Sequence, residues 1–355
     1  MEGLLARIID RHDLDEWVGR LLQQKEVMAP VKGEGADTLF APVRTPADVL
    51  WDFENPLLPP RHALLPQVDP IVHISRTGGH YDVKPAPDPP ERVLLNVRSC
   101  DVVGLQYLRR VHEQDLADDA MVRRARSLTV VSLACDRPCR DGFCICTESG
   151  PFLRSGYDVQ LTDLGDTLLA EAGTPEGVTL LDQAADLFRP APDAAIEKRR
   201  ELERATLERF GAETCHFGSA MRRISTRRVP DELWDSMSHW CLECGGCTFV
   251  CPTCYCFSVA DRAEGENAWV RYRTWDSCQY EAFTLEASGH NPRALRRDRI
   301  KRRFFHKVSA QYYVREDRVG CVGCGRCIRA CMGTTDMPAV VRAIRKGVWE
   351  GGRAV

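Results

Sequence analysis

No apolar run in the 355-residue chain approaches the ~20 residues that cross a bilayer, so the sequence offers no membrane span. A secretory leader is missing too. The opening MEGLLARIIDRHDLDEW carries acids within and after its short apolar run and lacks both a basic start and a small-residue cleavage site. The expectation is a cytoplasmic protein, unless it is exported with a partner that carries the signal. No G-x-G-x-x-G follows a strand and no G-x4-G-K-[ST] appears, while KGEGADT has two glycines only, in a turn. A dinucleotide or nucleotide site on this chain is therefore not expected. A net charge of −3 is too small to mark a nucleic-acid binder. What the sequence has in quantity is core and cysteine. With 44% hydrophobic and 28% charged residues it can bury a core of about two domains. Seventeen cysteines at short regular spacings read, in a reducing compartment, as metal or redox ligands rather than disulfides.

One four-cysteine phrase is written twice. CLECGGCTFVCP begins at Cys241 and CVGCGRCIRACM at Cys321, both with cysteines at offsets 0, 3, 6 and 10. Cys-x2-Cys-x2-Cys-x3-Cys is the ligand run of two-cluster ferredoxins, in which the fourth cysteine serves the other cluster. The expected ligand sets are Cys241, Cys244, Cys247 and Cys331 for one 4Fe–4S cluster, and Cys321, Cys324, Cys327 and Cys251 for the other. Gly245, Gly246, Gly323 and Gly325 fall between ligands, where the backbone must turn sharply and bring N–H groups to sulfur. Pro252 follows the first run as usual, whereas Met332 stands in that place in the second. The alternative is zinc, but zinc sites pair two Cys-x-x-Cys elements and need no third cysteine at the same offset in both. Trp234, Trp240 and Phe249 read as apolar shielding. Cys254 and Cys256 of CPTCYCF exceed the ligand demand, and either could replace Cys251; Cys215 and Cys278 read as buried thiols.

Upstream, the first 30 residues suggest two short helices, the clearer being DLDEWVGRLL with Asp13 as cap and Leu14, Trp17, Val18, Leu21 and Leu22 on one face. EVMAPV and TLFAPV flank a hairpin turn, and the proline-rich 52–90 reads as mostly loop. RVLLNV (92–97), the amphipathic 101–114 and SLTVVSLA (127–134) predict a strand–helix–strand unit with parallel strands. YDVQLTDL, TLLAEAG and GVTLL suggest short strands that finish the domain near residue 185. The expected class is α+β: an N-terminal α/β domain (1–190) with a small, partly parallel sheet, a linker helix (191–230), and a two-cluster ferredoxin-like domain (231–355) with a long insertion (252–320). Within that insertion Arg293–Lys307 carries eight Lys/Arg and one Asp. It reads as a solvated or partner-facing basic helix, with too few aromatics for nucleic-acid binding.

The strand–helix–strand unit also concentrates cysteine. Cys100 and Cys135 follow its two strands, so both emerge at the carboxyl edge where open α/β sheets hold ligands. The loop CDRPCRDGFCICT returns Cys144 and Cys146 to that edge. Cys100, Cys135, Cys144 and Cys146 are the expected ligands of a third 4Fe–4S cluster, with Cys139 competing for a place. Zinc held by Cys135, Cys139, Cys144 and Cys146, or a set of buried thiols, is the alternative.

RSCD, FCICTESGPFLRSGYDVQLTDLGD, CPTCYCF, WDSCQYEAF, HNPR, HKVSAQYY and CVGCGRCI together resemble the beta subunit of cytoplasmic sulfhydrogenases, the NAD(P)-linked nickel–iron hydrogenases, and the related iron–sulfur subunit of anaerobic sulfite reductase. The resemblance runs from about residue 90 to 332. It implies an electron-transfer subunit, itself without catalytic residues, between a flavin subunit that binds NAD(P) and the hydrogenase small and large subunits. The missing nucleotide fingerprint agrees, as does the missing nickel site, since both Cys-x-x-Cys runs are used by the cubanes. The alternatives are the equivalent subunit of a sulfite or polysulfide reductase or of a flavin-linked confurcating complex and, remotely, a zinc-stabilised nucleic-acid-binding protein.

Overall fold

The computed structural model describes residues 5–35, 37–210 and 215–351. Its strands, in chain order, are β1 (Leu5–Asp10), β2 (Glu26–Lys32), β3 (Thr38–Pro42), β4 (Val68–Thr77), β5 (His80–Pro85), β6 (Arg92–Arg98), β7 (Leu128–Leu133), β8 (Val159–Asp163), β9 (Thr167–Ala172), β10 (Arg189–Pro190), β11 (Phe257–Gly265) and β12 (Ala268–Trp275). They form a mixed eight-stranded sheet, ordered β10-β1-β9-β8-β7-β6-β2-β3, and a four-stranded sheet, ordered β11-β12-β4-β5.

The centre of the large sheet is parallel: β2, β6, β7 and β8 run the same way. β6 is buried along almost its whole length, as a parallel strand covered on both faces must be. Its side chains alternate between two cores. Val93 and Leu95 face one that includes Trp17, Leu161 and Leu181, and Leu94 and Val97 face the other with Leu105, Leu108 and Met121. The predicted strand–helix–strand unit is present, with helix Ser99–Glu113 crossing from β6 to β7. A bulge between Leu94 and Val97, with Asn96 left-handed at φ 59°, bends the end of β6 just before Cys100. The predicted hairpin is β2–β3.

Three expectations are corrected. The first described element is not a helix but β1, which pairs with β9 and β10; residues 1–4 lie outside the described residues. Tertiary pairing overrides a locally ambiguous apolar run there. GVTLL belongs to helix Pro175–Asp182, whose start is written in Thr-Pro: the Thr174 hydroxyl accepts from Gly177 N–H at 3.1 Å and proline takes the first turn. The stretch 52–90 is not all loop, because it supplies β4 and β5. β4 pairs with β12, so a segment before residue 90 and one after 257 share a sheet. Asp69 of β4, fully buried, anchors that sheet by pairing with Arg273 at 2.7 Å and with Arg124.

The C-terminal helices Phe217–Ser225, Asp231–Ser238, Arg296–Val308 and Met337–Lys346 pack around Trp234, Phe304, Val340 and Ile344. Here the basic stretch is corrected as well. Its helix buries Arg299, Ile300, Arg303, Phe304, Lys307 and Val308, two adjacent residues per turn, so three of its cations face inward. Helix Asp193–Phe210 buries only Ala195, Arg199 and Thr206, as its weak apolar stripe predicts.

Candidate metal centres

The two cysteine runs fold alike. Each has a left-handed glycine, Gly245 (φ 71°) or Gly325 (φ 76°), that caps a short helix, Gly246–Phe249 or Arg326–Ala330. Two residues earlier the backbone is left-handed again, at Glu243 (φ 55°) and Gly323 (φ 60°). Surroundings explain the different residues. A Cβ on Gly323 would lie 2.5 Å from the Phe143 carbonyl, whereas Glu243 has room and pairs with Arg296 and Arg299. The two runs approach closely where the second ends: a Cβ on Gly333 would lie 1.8 Å from the Trp240 carbonyl. The chain after the second run is thereby pressed against the start of the first.

Accordingly, Cys331 lies within electrostatic reach of Cys241 and Cys247, and Cys251 within reach of Cys321 and Cys324. Burial pushes the Cys241, Cys247, Cys321, Cys324 and Cys327 thiols up, Cys247 and Cys327 to about 12, so metal binding there must displace protons. Zinc at ~2.3 Å from each thiolate would draw sulfurs to within about 4 Å of one another. Among the described residues no three cysteine sulfurs lie within 4.8 Å of each other; the one group of His, Cys and acids that close is Asp10, His12 and Asp13. The donors are soft, grouped in fours and spread too widely for a single ion, which fits a polynuclear iron–sulfur centre.

Charge supports the same fit. Arg303 and Lys307 are buried, and neither lies within salt-bridge distance of a carboxylate of the described residues. An unpaired buried cation is costly. Burial works against the charge of Arg303, yet Cys247, Cys327, Cys254 and Cys331 hold it protonated. Lys307 is likewise kept charged by Cys251 and Cys254 against its burial, and it donates to Thr253 O at 2.9 Å and Thr253 Oγ1 at 2.7 Å. That hydroxyl is 3.2 Å from Cys251 Sγ. One cavity is lined by all four cysteines of the second set, Cys251, Cys321, Cys324 and Cys327, together with Cys247, Arg303 and Lys307. These cations are the countercharge expected around an anionic centre. Sequence reading placed them in solvent; the detectable signal was Arg299, Arg303 and Lys307 at four-residue intervals, each followed by an apolar residue.

The second run is clamped by the N-terminal half. Arg326 makes a fully buried bidentate pair with Asp101 at 2.6 and 2.7 Å and donates to Pro56 O at 2.6 Å. Asn55 Nδ2 donates to Cys324 O at 2.7 Å, and Phe143 N–H to Gly323 O at 2.7 Å. Through this contact the N-terminal cysteines approach the second run: Cys100 is within electrostatic reach of Cys324 and Cys144, and Cys144 of Cys135, Cys139 and Cys324. Burial pushes the Cys100, Cys135 and Cys144 thiols up. Cys146 takes another direction. It is two residues from Cys144 on the 3-10 turn Cys144–Thr147, about 240° around a three-residue turn, and its sulfur accepts from Cys215 N–H at 3.4 Å. The structure thus brings Cys100, Cys135 and Cys144 together with Cys139 and turns Cys146 towards Cys215.

Trp234 is buried, but Trp240 is half-exposed beside exposed Leu242, Cys244 and Met332, so the first run reaches the surface. Arg61, absent from the sequence reading, is buried over the Trp275 ring at 3.6 Å and donates to Cys254 O.

Residues 240–335 match the family described as a 4Fe-4S dicluster domain. The C-terminal part of the chain is therefore an iron–sulfur domain of the electron-transfer kind, joined to a mixed α/β sheet. Over 334 residues the chain is 28% identical to sulfhydrogenase 2 subunit beta of Pyrococcus furiosus, an alignment that covers 94% of this chain and 96% of that protein. No helix among the described residues is long and apolar enough to cross a membrane.

Proposed function

We propose that the chain is the electron-transfer subunit of a cytoplasmic nickel–iron hydrogenase complex, accepting and delivering electrons between a flavin subunit that binds NAD(P) and the hydrogenase small and large subunits. The observation that carries the reading is the proximity of Cys331 to Cys241 and Cys247, and of Cys251 to Cys321 and Cys324, around buried Arg303 and Lys307, which have no carboxylate partners among the described residues. Bound 4Fe–4S clusters would supply one-electron transfer; the chain's own residues hold them, exclude water and balance their charge. In this reading Cys241, Cys244, Cys247 and Cys331 hold one centre, and Cys321, Cys324, Cys327 and Cys251 the second. Cys100, Cys135 and Cys144 hold a third, with Cys139 as the better-placed fourth ligand and Cys146 the other. The N-terminal part (1–190), linker (191–230) and C-terminal part (231–355) divide these roles, and the first run reaches the surface at Cys244.

Iron analysis of the anaerobically purified chain tests the count: three centres give ~12 Fe per chain and two give ~8. Cys331→Ala should remove the paramagnetic signal of the centre held by Cys241, while loss confined to the centre held by Cys321 would overturn the crossed assignment. Affinity purification from the native cell should retain a flavoprotein and a nickel protein. A sirohaem protein in their place would make this the equivalent subunit of a sulfite reductase.

A further inference from the structure

Cys256 and Cys278 stand outside every proposed ligand set. Cys256 lies at the foot of β11 and Cys278 just beyond β12, and Asp276 N–H donates to Cys256 O at 2.9 Å, which extends the hairpin ladder between them. The two sulfurs are hydrogen-bonded to each other. Gln279, buried, directs its amide at Cys278 Sγ at 3.4 Å while also holding Arg299 O at 3.0 Å. Cys247 of the first run and Arg303 lie within electrostatic reach of this pair. Among the described residues no third metal-ligating atom completes a site of mononuclear size with the pair. The arrangement is that of a dithiol, mostly buried but reaching the surface, beside the first run.

We propose that Cys256 and Cys278 form a dithiol–disulfide couple through which the protein passes electrons to small soluble disulfides. The proposal rests on the electron-carrying function above. Cys278 is the attacking sulfur: Cys256 S–H and the Gln279 amide both donate to it, which holds its thiol below the ordinary range, to about 6. Its thiolate attacks R–S–S–R; that bond breaks, one R–S⁻ leaves and takes a proton, and a mixed disulfide remains on Cys278. Cys256, having lost its proton, attacks the Cys278 sulfur and releases the second R–SH. The external disulfide has gained two electrons and two protons, and the protein holds a Cys256–Cys278 bond. Two electrons from the electron-carrying function, and two protons from solvent, break that bond and restore the thiols.

The test uses the full chain, purified anaerobically with its iron, equilibrated with reduced and oxidised glutathione, quenched by alkylation and mapped by mass spectrometry. The expected result is a Cys256–Cys278 disulfide whose ratio to dithiol rises tenfold for each tenfold rise in [GSSG]/[GSH]², at constant iron content. Cys256→Ser should keep its iron and accumulate glutathione on Cys278, and Cys278→Ser should keep its iron and form neither product. Two free thiols at every glutathione ratio would overturn the proposal, as would loss of iron from either variant, which would make the pair metal ligands. Failure of the ligand assignments appears separately, as wild-type protein without iron.

Discussion

Arg303 and Lys307 are one helical turn apart and share a buried face with Ile300, Phe304 and Val308. Each is within reach of several cysteines: Arg303 of Cys247, Cys327 and Cys331, which come from both runs, and Lys307 chiefly of Cys251. A fixed positive charge stabilises the more negative, reduced state of a neighbouring centre and so raises its potential. Removing the charge has the opposite sign. Arg303→Gln should lower the potential of at least one centre by roughly 60 mV, a decade in a one-electron equilibrium, and Arg303→Lys should recover much of it. A redox titration followed by electron paramagnetic resonance reads both, and unchanged potentials in Arg303→Gln would remove the electrostatic role. Composition hides these residues, because a run of eight cations among fifteen residues averages to a polar segment. Their positions were legible only as a four-residue interval in phase with Ile300, Phe304 and Val308. The cysteines of the two runs needed no such averaging, since the same offsets recur residue by residue in both.

At the scale of elements, helix Ser99–Glu113 joins the parallel sheet to the second cysteine run. Asp101 in its first turn meets Arg326 of helix Arg326–Ala330 with both side chains fully buried. Breaking one side of a buried ion pair costs about 3–5 kcal/mol, because the partner keeps its charge without compensation. Asp101→Asn should therefore destabilise the iron-loaded protein by that amount in anaerobic denaturant unfolding. Asp101→Asn with Arg326→Met should cost less than the sum of the single changes; strict additivity would mean that the pair does not couple the two elements. The β6–helix–β7 unit was legible because each element carries its own period, apolar runs for strands and an amphipathic stripe for the helix. β4 and β5 were not. Pro70 and Pro85 argue locally against strands, yet β5 is an edge strand, and the β4–β12 ladder shifts register between Arg271 and Tyr272, where Pro70 is accommodated. The partner that makes β4 a strand lies some 200 residues away, beyond any local pattern. The direction of Cys146 was not legible for a related reason: its spacing from Cys144 is compatible with convergence, yet on the 3-10 turn its sulfur accepts from Cys215 N–H.

Over the whole molecule, apolar packing and cysteine are unevenly distributed. The core on one face of the large sheet, from Ile9 and Trp17 to Leu181 and Phe188, contains no cysteine and draws only on residues before 190. The core on the other face includes Cys100, with Cys144 and Cys324 packed against it. The C-terminal core includes Cys215 and is flanked by Cys146, Cys241, Cys321 and Cys327. Metal binding and folding are coupled where ligands come from distant chain segments, and the C-terminal core also encloses cations that would lose their countercharge with the metal. Removing iron anaerobically with a chelator and ferricyanide should therefore open the molecule unequally. Hydrogen exchange should accelerate strongly across 241–251, 296–308 and 321–337. The amides of β1, β8 and β9 should keep their protection, because their ladder and the core beneath them contain nothing that iron holds. Uniform loss of protection would mean that the metal centres and the sheet fold as one cooperative unit, and full retention in 321–337 would mean that the cysteine runs are held by packing rather than by metal.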